Sequence, residues 1–325
     1  FKRTYDVIEM AANSAGENIN NLVQDAGIFD GTGRLYKYSK IIIKHIHKEQ
    51  LPLKQNLYFN TFPTYEMNAC AIQTKSGIII LLNSGLLKFI YSISYSVCHL
   101  VRSTPNGILY TLELESPCKK YEKLAIVKTV KTIFNYIIGG KNDSLIITEG
   151  YMSIWGHFVA NAISFAIKTF VMGHEIAHSV LGHLAKTETT LFITPNGNLD
   201  VLNISRKNEF EADLWAQDIL FNNDLMNPNA FPIIGGGLAF FIIQIMIYKV
   251  IEKIEPEKST KFFKSSSHPT IFERTDYLNN FLMTKANKFH NTDWIAPYVV
   301  FRRVLELIER AEIRFKNGIL DIIPK

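Results

Sequence analysis

The stretch from His174 to His178 reads His-Glu-Ile-Ala-His, and it constrains this chain more than any other. Residues four apart on an α-helix lie about 40° apart around its axis, so His174 and His178 would present their imidazoles to one point. Two imidazoles at one point can hold a zinc ion. Glu175 lies about 100° around the helix from His174, where its carboxylate could reach a water on that ion. The spacing therefore predicts a zinc site with Glu175 as general base.

A motif of five residues also arises by chance, on helices whose histidines only cap or pack. The segment 208–216 supplies what a zinc site would still need, because its Glu209 and Asp213 are four residues apart and share a helix face. Catalytic zinc takes three protein ligands and keeps a fourth position open. We therefore predict Glu209 as the third ligand and Asp213 as the carboxylate that orients a ligating histidine.

His183 is a further histidine close to the motif. It follows His174 by nine residues, which places it about 180° around a continuous helix. A three-histidine site of the metzincin type would need glycine at position 181 and histidine at position 184, where this chain has Leu181 and Leu184. We predict that His183 is not a ligand and has a structural role just past the helix, which Gly182 ends.

The composition is that of a globular chain with a sizeable core, since 47% of its 325 residues are hydrophobic. The net charge of +5 is spread along the chain, and no basic run carries interleaved aromatic residues, so no nucleic-acid partner is predicted. Cys70, Cys98 and Cys118 show no Cys-x-x-Cys spacing, which argues against a disulfide framework and indicates a reducing compartment. The first residues are followed by polar sequence rather than an apolar run, so we expect no signal peptide and a cytoplasmic location.

Two β-prone runs precede the histidine motif. One contains residues 68–71 and the other runs from Gly77 to Leu82, with a polar turn at Lys75 and Ser76. This pattern predicts a β-hairpin, followed by a helix that begins near Leu86.

Taken together, these segments resemble the M48 family of zinc metallopeptidases, gluzincins that combine His-Glu-x-x-His with Glu-x-x-Ala-Asp. The matching positions are Asn68, Ala69, Cys70 and Ala71, the run 77–82, Gly85 to Leu87, His174 to His178 with His183, Glu209 to Asp213, and Ser267, His268 and Pro269 with Glu273 and Arg274. The resemblance implies zinc (Zn2+) held by His174, His178 and Glu209, with Glu175 as catalytic base. It also implies that residues 68–71 form a substrate-binding edge strand beside the cleft, and that His268 lies near the site, where it could stabilise an oxyanion.

The chain departs from the M48 pattern in one stretch. The family passes quickly from its Gly-Leu-Leu helix to the zinc helix, whereas residues 95–160 intervene here. We predict a single metallopeptidase domain over 1–325, with a helical insert at 95–160 over or beside the cleft. A weaker resemblance, through the His-Glu-x-x-His motif alone, is to phage-exclusion peptidases, which are soluble intracellular proteases that cleave a translation factor.

The sequence thus predicts an α+β, mainly helical, zincin-like fold, with a small antiparallel sheet beside two zinc-bearing helices. The predicted function is zinc-dependent hydrolysis of a peptide or protein substrate. An alternative from another class is a sensing or interaction protein that keeps this fold with little or no protease activity.

The run from Phe231 to Val250 approaches the length of about 20 residues that spans a bilayer. It contains three consecutive glycines, Gln244 and Lys249, and it lies between Asp213 and His268, which must meet in one site. We therefore predict a buried helix here rather than a membrane span.

Overall fold

The structure is a computed structural model. It describes the chain at 41–46, 56–62, 68–74, 77–104, 107–109, 118–137, 154–185, 189–194, 197–202, 206–226, 234–257, 269–286, 296–316 and 319–324. The long helices in these ranges are α1 (Ser84–Val97), α2 (Cys118–Ile137), α3 (Ile154–Val180), α4 (Arg206–Met226), α5 (Gly236–Ile254), α6 (Ile271–Ala286) and α7 (Ala296–Arg310). The strands are β1 (Asn56–Phe62), β2 (Ala69–Thr74), β3 (Gly77–Asn83), β4 (Arg102–Thr104), β5 (Gly107–Leu109), β6 (Thr189–Thr194), β7 (Gly197–Leu202), β8 (Glu312–Lys316) and β9 (Ile319–Ile323). The predicted α+β, mainly helical fold is confirmed.

One three-stranded sheet lies beside the helices, with strand order β1-β3-β2. The predicted hairpin is present, because β2 and β3 pair antiparallel from Thr74 opposite Gly77. β1 pairs parallel with β3, however, so the sheet is mixed rather than purely antiparallel. Every residue of β3 is buried, as expected of a central strand, while β2 lies at the sheet edge. The pairs β4-β5, β6-β7 and β8-β9 form separate two-stranded sheets.

Helix α3 carries the His-Glu-x-x-His motif and is buried along most of its length. It runs without a break from Ile154 to Val180. Its C-terminal end agrees with the prediction, because α3 ends at Val180 and Gly182 has a φ of 73°. Glycine tolerates this left-handed backbone far better than other residues.

Helices α3 and α4 approach each other closely at Gly173, one residue before the motif. A Cβ atom at this position would lie 3.1 Å from Ile219 Cδ1 and 3.3 Å from Ala216 Cβ, both on α4. Glycine on α3 and alanine on α4 thus bring together the two helices that carry the predicted zinc ligands.

Helix α5 contains most of the apolar run that was considered as a membrane span. Ile242, Ile243 and Met246 are at most 1% exposed, as part of the common hydrophobic core. Among the described residues, no helix is long and apolar enough to cross a membrane.

Helix α2 is the longest described element within the predicted insert at 95–160. Ala125, Val130 and Ile133 on this helix are fully buried in the same hydrophobic core as α1 and α3. Glu122 also accepts a hydrogen bond from Arg303 on α7, at 2.7 Å. That residues 95–160 form an insert relative to the M48 pattern stays a prediction.

Candidate metal centre

Three side chains from α3 and α4 converge at one point in the structure. His174 Nε2 lies 3.1 Å from His178 Nε2 and 3.5 Å from Glu209 Oε2, and His178 Nε2 lies 3.6 Å from Glu209 Oε1. Their side chains are 12%, 2% and 5% exposed, in the same order. Within the described residues, this is the group of histidine and acidic side chains that could hold a metal ion.

The spacing of these donors fits a metal ion of zinc's size. Donor atoms about 2.1 Å from a tetrahedral zinc ion lie roughly 3.4 Å from one another. The two imidazole nitrogens are 3.1 Å apart, and the Glu209 carboxylate lies close to this spacing from each of them, with Oε2 3.5 Å from His174 and Oε1 3.6 Å from His178. Two imidazole nitrogens with one carboxylate are also a donor set that catalytic zinc uses. The site therefore fits a divalent metal ion.

Asp213 contacts the outer nitrogen of His174. Its Oδ1 lies 2.9 Å from His174 Nδ1, and its side chain is fully buried. A carboxylate at this nitrogen keeps a proton on Nδ1 and leaves Nε2 free to bind a metal. Asp213 thus occupies the position that the sequence predicted for a residue orienting a ligand.

Arg274, from α6, joins the two carboxylates of the site. Its guanidinium donates to Asp213 Oδ2 at 2.7 Å and to Asp213 Oδ1 at 2.6 Å, and a third nitrogen lies 3.2 Å from Glu209 Oε2. The guanidinium also packs over the ring of Phe241, 4.7 Å from its centre. Arg274 is part of the pattern that resembles M48 peptidases, but its sequence position predicts no role for it.

His183 contacts the outer nitrogen of the second histidine. Its Nδ1 lies 3.1 Å from His178 Nδ1, and its Nε2 lies 3.1 Å from Glu211 Oε2. His183 is just past the end of α3, as predicted. It is close to the site without being within the group of three donors.

Glu175 lies between the metal site and the sheet. It accepts a hydrogen bond from the backbone N–H of Ala71 on β2. Burial and the nearby Glu209 charge raise its pKa, although the positive charge of His174 acts in the opposite direction. The negative charge of Glu175 also reaches Cys70, the preceding residue of β2, whose pKa is raised to about 11, mainly by burial.

The charges of the site are strongly coupled. Burial acts to lower the pKa of His174, but hydrogen bonds with Asp213 and Glu209 outweigh it and raise this pKa to about 10. Burial and the neighbouring His174 charge lower the pKa of His178 to about 3. Burial acts to raise the pKa of Glu209, but its hydrogen bond with His174 holds that pKa well below the usual range. Without a metal, the site therefore holds two positive groups, the His174 imidazolium and the Arg274 guanidinium, beside the carboxylates of Glu209 and Asp213.

The structure brings together most of the residues that the sequence predicted. His174, His178, Glu209 and Asp213 form one cluster, with Glu175 beside it. Ala69, Cys70 and Ala71 belong to the edge strand β2, and Asn68 precedes it with an exposed side chain. His268 lies outside the described residues. The roles of all these residues stay predictions.

Comparison with known proteins gives one match. A family model described as Peptidase U49 matches residues 147–292, a little under half of the chain. This range contains the whole of α3, α4, α5 and α6, and with them every member of the candidate metal centre. The match supports a peptidase. A peptidase implies a peptide or protein substrate.

U49 is a family distinct from M48, so the match does not specifically support the M48 resemblance. No curated protein and no solved structure matches the chain.

Proposed function

We propose that this chain is a zinc-dependent endopeptidase. The observation that carries the proposal is the convergence of His174 Nε2, His178 Nε2 and the Glu209 carboxylate, which lie within 3.6 Å of one another. The match of the same region to a peptidase family supports it. The order of motifs that resembles M48 peptidases is consistent with the same chemistry.

In the proposed reaction, the metal ligands, Glu175 and His268 would each have a separate role. Zinc held by His174, His178 and Glu209 would polarise the scissile carbonyl and lower the pKa of the attacking water. Glu175 would accept a proton from that water and deliver it to the leaving amine. Burial raises the pKa of Glu175, which is the direction that a carboxylate needs in order to exchange protons as a general base. His268 is proposed as an oxyanion donor on the M48 resemblance alone.

The substrate would lie along β2. This strand is at the edge of the sheet, and extended peptides bind to such edges through backbone hydrogen bonds. The hydrogen bond from the Ala71 N–H to Glu175 supports this proposal, because it joins that strand to the proposed base. A peptide paired with residues 68–71 would therefore pass the metal centre. We further propose that the protein acts in the cytoplasm.

Metal analysis tests the site. The purified protein should bind one zinc per chain, and His178→Ala should lose stoichiometric zinc because one of three ligands is gone. His157→Ala is the matched control, since His157 is an exposed histidine on the same helix. Full zinc content in His178→Ala would contradict the ligand assignment.

Cleavage tests the chemistry. Glu175→Gln should bind zinc normally and lose peptidase activity, because an amide has the same shape but cannot accept the proton. New protein N-termini should arise in cells that express the active chain and be absent with Glu175→Gln. A zinc-bound protein that generates none would instead favour the sensing or interaction alternative.

A further inference from the structure

We infer that His183 and Glu211 position His178 as a metal ligand, an inference that rests on the proposed zinc site. The two side chains form a line that runs from His178 to the protein surface. His178 Nδ1 lies 3.1 Å from His183 Nδ1, and His183 Nε2 lies 3.1 Å from Glu211 Oε2. His183 is therefore a positioning residue, one step removed from the metal.

The positions of the protons follow from these contacts. A nitrogen that binds a metal must be unprotonated, so His178 Nε2 carries no proton and His178 Nδ1 carries one. His178 Nδ1–H then donates to His183 Nδ1, which must accept. The proton of neutral His183 is consequently on Nε2, where it donates to the Glu211 carboxylate. Each N–H has one acceptor, and the arrangement selects a single tautomer of both rings.

Burial makes these contacts effective. The side chains of His178 and His183 are 2% and 5% exposed, so water has little access to compete for the hydrogen bond between them. Glu211 is 43% exposed and also lies 3.5 Å from Lys207 Nζ. The line thus begins at the buried metal centre and ends at a solvated carboxylate.

The two histidine ligands consequently differ in their outer partners. His174 faces a fully buried carboxylate, Asp213, whereas His178 faces a neutral imidazole. Outer partners of this kind typically change metal affinity by about 10–100-fold when they are removed. We expect the loss of His183 to fall in this range.

The test compares two substitutions of His183. In His183→Asn, the amide oxygen takes the place of Nδ1 and can still accept from His178, whereas His183→Leu fills the space without an acceptor. Zinc affinity, measured by competition with a chelator, should fall about 10–100-fold in His183→Leu, and His183→Asn should recover most of it. Equal affinity of His183→Leu and the unmodified protein would overturn the inference, as would equal losses in the two variants.

A second pair of variants tests the surface end without disturbing the core. Glu211→Ala removes the acceptor of His183, whereas Lys207→Ala removes only the other partner of Glu211. Zinc affinity should fall in Glu211→Ala and stay unchanged in Lys207→Ala. Equal affinities in these two variants would remove Glu211 from the arrangement.

The NMR spectrum of zinc-loaded, 15N-histidine-labelled protein gives an independent readout. The Nδ1–H signal of His178 should report a strong hydrogen bond that His183→Leu abolishes and His183→Asn retains. An unmodified protein that binds no zinc would contradict the proposed function itself. Zinc binding that is indifferent to His183 would contradict only the positioning role.

Discussion

Arg274 contacts the carboxylates of both Glu209 and Asp213 in the candidate site. Its side chain is 14% exposed and faces the fully buried Asp213 through two hydrogen bonds. An arginine fork matches a carboxylate in a way that lysine cannot, because its nitrogens are planar and fixed. Arg274 therefore fixes Asp213, and Asp213 in turn contacts His174.

Removing this guanidinium should destabilise the fold. In Arg274→Gln, Asp213 would stay buried without its main partner, and breaking a buried ion pair from one side costs about 3–5 kcal/mol. Urea unfolding of the metal-free protein measures this loss of unfolding free energy. Arg206→Gln is the control, because its ion pair with Glu273 is largely exposed and should contribute little. Similar unfolding midpoints for the two variants would contradict the role of Arg274.

Cys70 should react slowly with alkylating reagents. Burial and the Glu175 charge raise its pKa to about 11 from 9.0, so at pH 8 it has roughly a hundredfold less thiolate than an ordinary thiol. The alkylation rate of metal-free protein should rise about tenfold per pH unit between pH 8 and 10. Glu175→Gln should accelerate it at pH 8, because it removes a negative charge that disfavours the thiolate.

The Cys70→Ser variant identifies the signal from this thiol. A rate that is the same with glutamate or glutamine at position 175 would contradict the proximity of Cys70 and Glu175.

Site residues that lie close together on one helix can be predicted directly from the sequence. His174, Glu175 and His178 share one helix, whose period fixes their relative directions, and the same holds for Glu209 and Asp213 on α4. Arg274 is not predictable in this way, because it lies 100 residues from His174 and only tertiary packing brings it there. The contact of His183 with His178 was not predicted for a related reason. It depends on the turn after Val180, where helix periodicity no longer applies.

At the scale of elements, the contact between α3 and α5 depends on glycine. A Cβ atom on Gly236 would lie 2.7 Å from the carbonyl carbon of Ala166 and 2.8 Å from its oxygen. These are backbone atoms, which cannot move aside as a flexible side chain can. The glycine run that argued against a membrane span thus lets α5 pack closely against the helix that carries the motif.

Gly236→Ala should therefore destabilise the protein by about 1–3 kcal/mol, the usual cost of overpacking a core. Helix propensity predicts the opposite sign, because alanine is favoured over glycine by about 1 kcal/mol inside a helix. At these distances, we expect the steric clash with Ala166 to outweigh the gain in helix propensity. Thermal unfolding decides between the two effects, and a raised melting temperature would contradict the close approach.

Gly182→Ala is a useful comparison. Among the described residues, no atom of another segment lies within 4 Å of its added Cβ, so the left-handed backbone is what opposes alanine, at a cost of about 1–2 kcal/mol.

The sequence predicts the pairing of neighbouring strands better than the pairing of strands that are far apart in the chain. The β2-β3 hairpin was predictable because its strands are joined by a short polar turn. The parallel pairing of β1 with β3 was not, since nothing in the sequence of residues 56–62 identifies its partner. A parallel neighbour is also reached only through a longer connection, which leaves no turn signal.

At the scale of the whole molecule, the sheet and most of the helices share one hydrophobic core. Ile80 of β3, Ile133 of α2, Met172 of α3 and Phe301 of α7 all belong to it, and none of them is exposed to solvent. Met172 lies two residues before His174 in the same helix. The metal centre is thus built on elements whose packing depends on distant parts of the chain.

This continuity predicts that α2 contributes to global stability rather than acting as a separate lid. Ile133→Ala should leave a cavity in the common core and cost about 2–5 kcal/mol. Lys131→Ala is the matched control, since Lys131 is exposed on the same helix.

Urea unfolding should be followed in parallel by far-ultraviolet circular dichroism and by the fluorescence of a variant that keeps only Trp215, which lies on α4. In Ile133→Ala, the unfolding midpoints from both probes should fall together, because a shared core unfolds as one unit. In Lys131→Ala, both midpoints should be unchanged. If only the circular dichroism transition shifts, α2 unfolds on its own and the segment behaves as an independent insert.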